Sequence, residues 1–510
     1  MTVISLSRAV RPVMLVALLS VATTAQAAAK PAKPASTAPT CPAGDICMTV
    51  IVDNQNAGVP ATGNTLYLTL VGADGPTTLV KPDGSTFSLN QSVPFSDLVP
   101  TGGSTAQFTL QTVQENPFSA GRLYFSETDL AGNQPAPNAS FRYDYVEFSL
   151  VDNATVNADV SGIDQVGIPS MLELQDANGK TLDNAGTKKP AVRKMGCWND
   201  IYNAISTAAS ALSNPAWDAS SVSVTVAGTD SKLRLAGPTA MPSGLAGYPS
   251  MQNYILGMNG QTVTISGYFA GNTKLNIPST YYQYSGTFDS AGNLALSGTL
   301  TSDKAGGTTS NPNYPDPQTI YLPGQGFYDT LANTSWYQPQ GSVNAYGTGF
   351  GVYAQNGPYQ LGGTQPTAGT NGSWDYTQGQ GTFFLSIGND VYGWIYGDLV
   401  ASMADGFLGP LGYDTSKWNT NTDGSGTPYA KPQKAFAALY TSTTLPQYAA
   451  WDLWQQAVSS TSDSYGVSLG DRFNFQGAKS SSPDMSTDKT TGIIKVTLLP
   501  NDGCKTGAPK

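Results

Sequence analysis

Residues 137–174 read PNASFRYDYVEFSLVDNATVNADVSGIDQVGIPSMLEL, and the first half of this stretch alternates with a period of two. Val146, Phe148 and Leu150 fall on one face of an extended chain, while Tyr143, Tyr145, Glu147 and Ser149 fall on the other. One face is suited to a core; the other sets aromatic rings beside a carboxylate. Sugar rings stack on aromatic planes and a glycosidic oxygen needs a proton donor, so this second face suits a carbohydrate site. The plainer alternative is a half-exposed strand with an ordinary surface glutamate, and the pattern alone favours it. Composition shifts the balance. Glutamate occurs only at Glu115, Glu127, Glu147 and Glu173, so a glutamate acid must come from this region, and Glu147 has the best neighbours.

Further along, Asp164 sits in SGIDQVGIP, where Gly162, Gly167 and Pro169 interrupt strand regularity and allow a bulge or bend that re-aims a side chain. An aspartate beside glycine is also a routine turn residue that bonds its own backbone. Asp159 is the nearby competitor.

These residues resemble glycoside hydrolase family 64, β-1,3-glucanases that release short laminari-oligosaccharides from a thaumatin-like barrel. SAGRLYFS at 119–126 is similar to the family's SGRIYFS, residues 146–148 match its VEF, and residues 160–169 look like its V-D-x-F-G-L-P segment. The resemblance implies that Glu147 is the general acid and Asp164 the general base of an inverting reaction. Tyr143 and Tyr145, on the aromatic face, are expected to line the substrate together with Asn157, Asp159 and Asp471. The family places Val-Asp ahead of the base, whereas Asn157 is followed here by ADVSGID, so Asp159 and Asp164 both stand as base. YGVSLGD at 465–471 loosely resembles a Tyr-x-x-x-x-Asp-Asp region, with one aspartate remaining.

At the front of the chain, Arg8 and Arg11 precede an apolar run over 13–22, and Ala25-Gln26-Ala27 has the small-x-small form of a cleavage site. A secretory signal over 1–27 is expected, then a Pro/Ala/Lys linker over 28–40, and export of the rest. The formal net charge is -10, and loss of both arginines makes it roughly -12. Nucleic acid and anionic membranes are poor partners for such a surface.

Histidine is absent, which removes Ser-His-Asp and Cys-His catalysis and histidine-ligated metals. Acid and base work then falls to carboxylates. No cofactor or metal site is expected, since no calcium-loop spacing appears. Cys41, Cys47, Cys197 and Cys504 are an even set in an exported chain, so two disulfides are expected. Three pairings are possible; Cys41–Cys47 with Cys197–Cys504 is the first choice because CPAGDIC is a short loop.

From residue 48 the pattern is strands and Gly-rich turns. Helical spacing appears at Trp198, Ile201, Tyr202, Ile205, Ala208, Ala209 and Leu212, again over 390–407, and again over 448–458 with Trp451 and Trp454. Strands resume between them, including TVTISGYF, YYQYSGTF and NLALSGTL. The Gly/Tyr-rich segment 303–380 carries Trp336, Tyr337, Tyr346, Tyr353, Tyr359, Trp374 and Tyr376, which suit either sugar platforms or small aromatic clusters under surface loops. The expected fold is mainly β: a thaumatin-like barrel or sandwich over 41–190, completed by 461–504, with a mixed α/β domain inserted over 191–460 and an open groove between them. With the resemblance, the expected function is a secreted endo-acting hydrolase of β-1,3-glucan, acting as a monomer. The rival is a non-catalytic glucan-binding or wall-associated protein of the same fold.

Overall fold

The structure is a computed structural model. It describes residues 41–54, 65–73, 76–114, 117–136, 139–152, 155–184, 189–210, 218–225, 232–238, 248, 252–269, 271, 277–303, 307–324, 359–369, 372, 374–375, 382–384, 391–404, 453–464, 466, 485, 487 and 491–501. The expected leader and linker, Glu115, Cys504 and Asp471 lie outside these residues.

Period-two sequence becomes two large sheets. One has the strand order β12 (Val192–Lys194), β11 (Ser170–Gln175), β23 (Ile493–Leu498), β1 (Asp45–Asp53), β6 (Ala106–Val113), β3 (Thr77–Val80) and β4 (Thr86–Phe87). The other has the order β5 (Ser92–Pro94), β2 (Tyr67–Ala73), β7 (Ser119–Ser126), β8 (Tyr143–Asp152) and β9 (Thr155–Asp159). β1 shows how sequence sets the face: DICMTVIVD buries Ile46, Met48, Val50 and Val52 and leaves the residues between them half-covered. These side chains share a core with Leu70 of β2, Leu123 and Phe125 of β7, and Val146, Phe148 and Leu150 of β8. Burying each such side chain contributes roughly 1.5–3 kcal/mol before entropy. Cys41 and Cys47 are joined by a disulfide, which closes the loop leading into β1, and Cys197 is also disulfide-bonded.

β23 comes from the far end of the chain. It lies between β11 and β1, antiparallel to the first and parallel to the second, with Ile494 opposite Val50 and Val496 opposite Val52. Its alternating Ile494, Val496 and Leu498 are fully buried, so the seven-stranded sheet depends on a segment more than 300 residues from β11 in sequence.

A second apolar cluster surrounds a three-stranded sheet ordered β10 (Gln165–Val166), β14 (Lys232–Ala236) and β13 (Ser223–Thr225). The helix Trp198–Ala209 contributes Trp198, Ile201, Ile205 and Ala209, the 3.6-residue stripe expected of it, and the helix Leu453–Thr461 contributes Leu453, Trp454, Ala457 and Val458. Of the helical periodicity over 448–458, residues 448–452, Trp451 among them, lie outside the described residues.

A further sheet runs β15 (Thr262–Phe269), β16 (Thr280–Thr287), β17 (Leu294–Thr301), β18 (Ile320–Leu322), β19 (Tyr359–Leu361) and β22 (Thr382–Phe384), with a small pair formed by β20 (Thr367–Ala368) and β21 (Trp374–Asp375). The helix Val391–Ala404 packs on it through aromatic pairs: Phe269 with Trp394 at 5.7 Å and Tyr359 with Tyr396 at 5.3 Å between centroids. Tyr359 and Trp374 are buried, so these two are core aromatics. Trp336, Tyr337, Tyr346, Tyr353 and Tyr376 lie outside the described residues. The protein is thus mainly β, built as several sheets.

Because Leu498 is fully buried in the shared core, Leu498→Ala is expected to lower unfolding free energy by ~2–5 kcal/mol. Half-covered Lys495→Ala on the same strand should change it little. Denaturant titration of both variants checks this.

Candidate active site

β7, β8 and β9 pair side by side, and their register builds the site row by row. Arg122 stands opposite Glu147, which stands opposite Asp159. The next row sets Tyr124 opposite Tyr145. In the other direction Ser149 faces Asn157, which is exposed. Alternation therefore delivers Glu147 to the face away from the main core, as its spacing from Val146 and Phe148 implies.

The tyrosines differ from expectation. Tyr143 and Tyr145 are 5% and 4% exposed and pack with Tyr124 and Leu130 in a small cluster of their own, flanked by Phe141. Neither ring face is open for a sugar to stack on. The chain around Ala139 and Phe141 covers them, and alternation along one strand carries no information about what lies above its outer face.

What the tyrosines do instead is hold charge. Tyr145 donates its hydroxyl proton to Oδ2 of Asp164 at 2.8 Å, and its ring lies under Arg122, with the guanidinium carbon 4.7 Å from the ring centroid. Nε of Arg122 donates to Oε1 of Glu147 at 2.7 Å, and its Nη1 lies 4.0 Å from Oδ2 of Asp164. One guanidinium thus reaches both carboxyl groups. Arg122, Glu147 and Asp164 keep side-chain exposures of 32%, 25% and 32%, enough for a ligand to meet them. Burial, then the neighbouring Asp164, hold the Tyr145 phenol well above its ordinary range, so it stays a donor. Burial works against the charge of Arg122, but Tyr145, Glu147, Tyr124 and Asp164 outweigh it and leave the guanidinium above its ordinary value.

Asp164 is far from Tyr145 in sequence and is brought there by a set of backbone clamps. Trp454 Nε1 donates to the Gly162 carbonyl at 2.7 Å, Ser464 donates to that of Val160, and the Gly237 amide donates to that of Asp164 at 2.7 Å. β10 then pairs with β14, Val166 opposite Leu235. The innermost clamp is Asp144, 3% exposed. Its Oδ2 accepts from the amides of Gly167 at 2.9 Å and Ile168 at 3.1 Å, and its Oδ1 from the amide of Tyr145 at 2.9 Å. Gln165 Nε2 donates to the Tyr143 carbonyl at 2.9 Å and Arg142 Nη2 to that of Gly167 at 3.1 Å. Beneath them, fully buried Arg234 lies 5.0 Å from the Tyr143 ring centroid and donates to the Ala139 carbonyl at 2.7 Å. The backbones come so close that a Cβ on Gly167 would sit 2.3 Å from the Tyr143 carbonyl oxygen.

Of the residues singled out from sequence, Glu147, Asp159 and Asp164 gather around Arg122 and Tyr145, Asn157 sits on the same face two residues along, and Asp471 lies outside the described residues. Arg122, Asp144 and Arg234 were missed. Asp144 had a signal: it shares the parity of Val146 and Phe148, and a carboxylate on a core-facing position needs buried donors. Among the described residues no group of three or more His, Cys, Asp or Glu is arranged to hold a metal. The arrangement offers two carboxyl groups on one partly open face, joined by a cation and a phenol, which is equipment for moving protons.

Residues 48–258 match the family model described as β-1,3-glucanase, glycoside hydrolase family 64. Over this part the chain is similar to that family of β-1,3-glucanases. Solved structures it resembles include a β-1,3-glucanase domain from Clostridium beijerinckii, at 14% identity over 91% of this chain and 100% of that one, with a TM-score of 0.40. Another is a laminaripentaose-producing β-1,3-glucanase from Paenibacillus barengoltzii complexed with laminarihexaose, at 19% identity over 44% of this chain and 55% of that one, with a TM-score of 0.24. No curated protein matches the chain.

Burial pushes the Asp144 carboxyl up to about 7, against the pull of its backbone donors. Unfolded, it titrates near ~3.9. The folded state therefore holds a proton that the unfolded state has lost between these values, and the stability contributed by protonated Asp144 is full below ~4 and declines as pH rises towards 7. Asp144→Asn should destabilise the protein most at acid pH, the deficit shrinking as pH approaches 7. Thermal melts of both proteins across that window check it.

Proposed function

We propose that the protein is a secreted, endo-acting β-1,3-glucanase in which Glu147 protonates the departing glycosidic oxygen and Asp164 activates water on the opposite face, inverting the anomeric centre. The observation carrying this reading is that one guanidinium and one phenol, Arg122 and Tyr145, tie these two carboxyl groups together on a partly exposed face. Asp159 lies in the same row as Glu147 and serves the substrate or the acid, while Asp164, held by the Tyr145 hydroxyl as an acceptor, is the better base. The family match supports the substrate. The reading extends to a thaumatin-like domain over 41–190 and 461–504, a second domain over 191–460, and an extended glucan, bound by a single copy of the chain, lying in the groove between them. Asn157, exposed beside this row, is suited to hydrogen-bond sugar hydroxyls, as is Asp471. Export follows from the leader-like sequence over 1–27.

Inversion requires the carboxyl groups roughly 6.5–9.5 Å apart, leaving space for water, whereas about 5 Å serves a covalent intermediate. Proton NMR of the first sugar released, read before mutarotation, should show the α-anomer from a β-linked glucan; the β-anomer would overturn inversion. Glu147→Gln and Asp164→Asn should each lower release of reducing ends from laminarin by roughly 10²- to 10⁴-fold with binding largely kept. Full activity in both variants would remove the catalytic assignment, and loss of activity only in Asp159→Asn would move the base there. A protein that sediments with insoluble glucan and releases no reducing ends would be a binding module.

A further inference from the structure

Inverting hydrolysis moves charge across the site. At the start Glu147 carries the proton and Asp164 is the anion. At the end Glu147 has given its proton to the leaving sugar oxygen and Asp164 has taken one from the attacking water. The bond from the anomeric carbon to the leaving oxygen has broken, and a bond to the water oxygen has formed. The pair holds one negative charge at both ends of the step, but that charge has crossed from Asp164 to Glu147.

Arg122 stands where such a charge passes. Its Nε is 2.7 Å from Glu147 Oε1 and its Nη1 is 4.0 Å from Asp164 Oδ2, the same oxygen that accepts the Tyr145 hydroxyl. The groups facing it are Tyr124 on its own strand, Tyr145 and Glu147 on β8, Asp159 across from Glu147 on β9, and Asp164 on the segment after β9. The planar guanidinium rests over the Tyr145 ring at 4.7 Å, a support that is not tied to one hydrogen-bond direction, so a small pivot exchanges one carboxylate for the other while ring and cation stay together. We propose that Arg122, carried on the Tyr145 ring, is a positioning residue that stays beside the migrating negative charge, while the Tyr145 hydroxyl steadies Asp164 for attack by water. This rests on the assignment of Glu147 and Asp164 given above. The structure shows the arrangement with Arg122 closest to Glu147, the product-side partner.

An ordinary cross-strand ion pair would hold β7 to β8 and leave the pH profile alone; a shared counter-ion would not. Arg122→Met removes the cation set between the two carboxyl groups, so on this proposal both limbs of the pH–rate profile on laminarin should move to higher pH. kcat should fall roughly 10²-fold with KM little changed. Arg122→Lys should return the profile to its original position with part of kcat. Tyr145→Phe keeps the ring and removes one donor to Asp164, so it should move the acidic limb alone. In Asp164→Asn or Glu147→Gln backgrounds, Arg122→Met should add little, because the charge it accompanies no longer moves.

Wild-type kcat and profile in Arg122→Met and Tyr145→Phe would overturn the proposal. So would a fall in activity with both limbs unmoved, or full additivity with Asp164→Asn. Should the acid/base assignment itself be wrong, Glu147→Gln and Asp164→Asn would stay active on their own, which separates that failure from this one. Arg122→Lys and Tyr145→Phe keep the volume and most contacts of the native side chains, so the test stands even if Arg122→Met does not fold.

Discussion

The Asp144 carboxylate, buried on the core-facing parity of β8, accepts hydrogen bonds from the amides of Tyr145, Gly167 and Ile168. Most of the site's geometry follows from it. A carboxyl taken out of water needs such donors, and the donors available belong to a segment that has left the sheet and turned back. Holding that segment against β8 brings the Gly167 backbone to the Tyr143 carbonyl at a distance that admits no side chain. It sets β10 beside β14, and it fixes the chain on either side of Asp164, whose side chain then meets the Tyr145 hydroxyl.

The same economy of charge runs through the neighbourhood. In a chain with few charged residues, three arginines converge on this one region. Arg142 and Arg234 donate to backbone carbonyls beneath the sheet, tying Gly167 and Ala139 in place, while Arg122 faces outward between the two carboxyl groups. The tyrosines serve as spacers and donors among these cations: Tyr143 against Arg234 and Tyr145 against Arg122. Aromatic rings that looked like a surface for sugar are the layer that keeps the charged groups apart and oriented.

Glu147 was legible because a strand has only two faces, and Val146, Phe148 and Leu150 claim one of them. The helix Trp198–Ala209 was legible for the same kind of reason at a period of 3.6. The burial of Tyr143 and Tyr145 was not, since periodicity assigns a residue to a face and says nothing about whether another segment, here the chain near Leu130 and Phe141, lies over it. Arg122 lies within SAGRLYFS, a stretch whose alternation assigns it no role. Its role needs the knowledge that residue 122 stands opposite residue 147, and that register is set by strand pairing.

By itself the sequence determined the chemistry available: no histidine, four glutamates, and one of them on a strand face away from the core. It determined a turn-rich β protein through alternation and glycine placement, and it marked Asp164 as a residue in a bend. Only the tertiary structure decided that Glu147 and Asp164 share a cation, and that a buried aspartate on the opposite parity holds the bend in place. It also decided that a strand from the end of the chain completes the first sheet. The physical reason is that residue type and period are local properties of a chain, whereas hydrogen-bond register and side-chain charge pairing arise only when segments distant in sequence are brought to within a few ångströms.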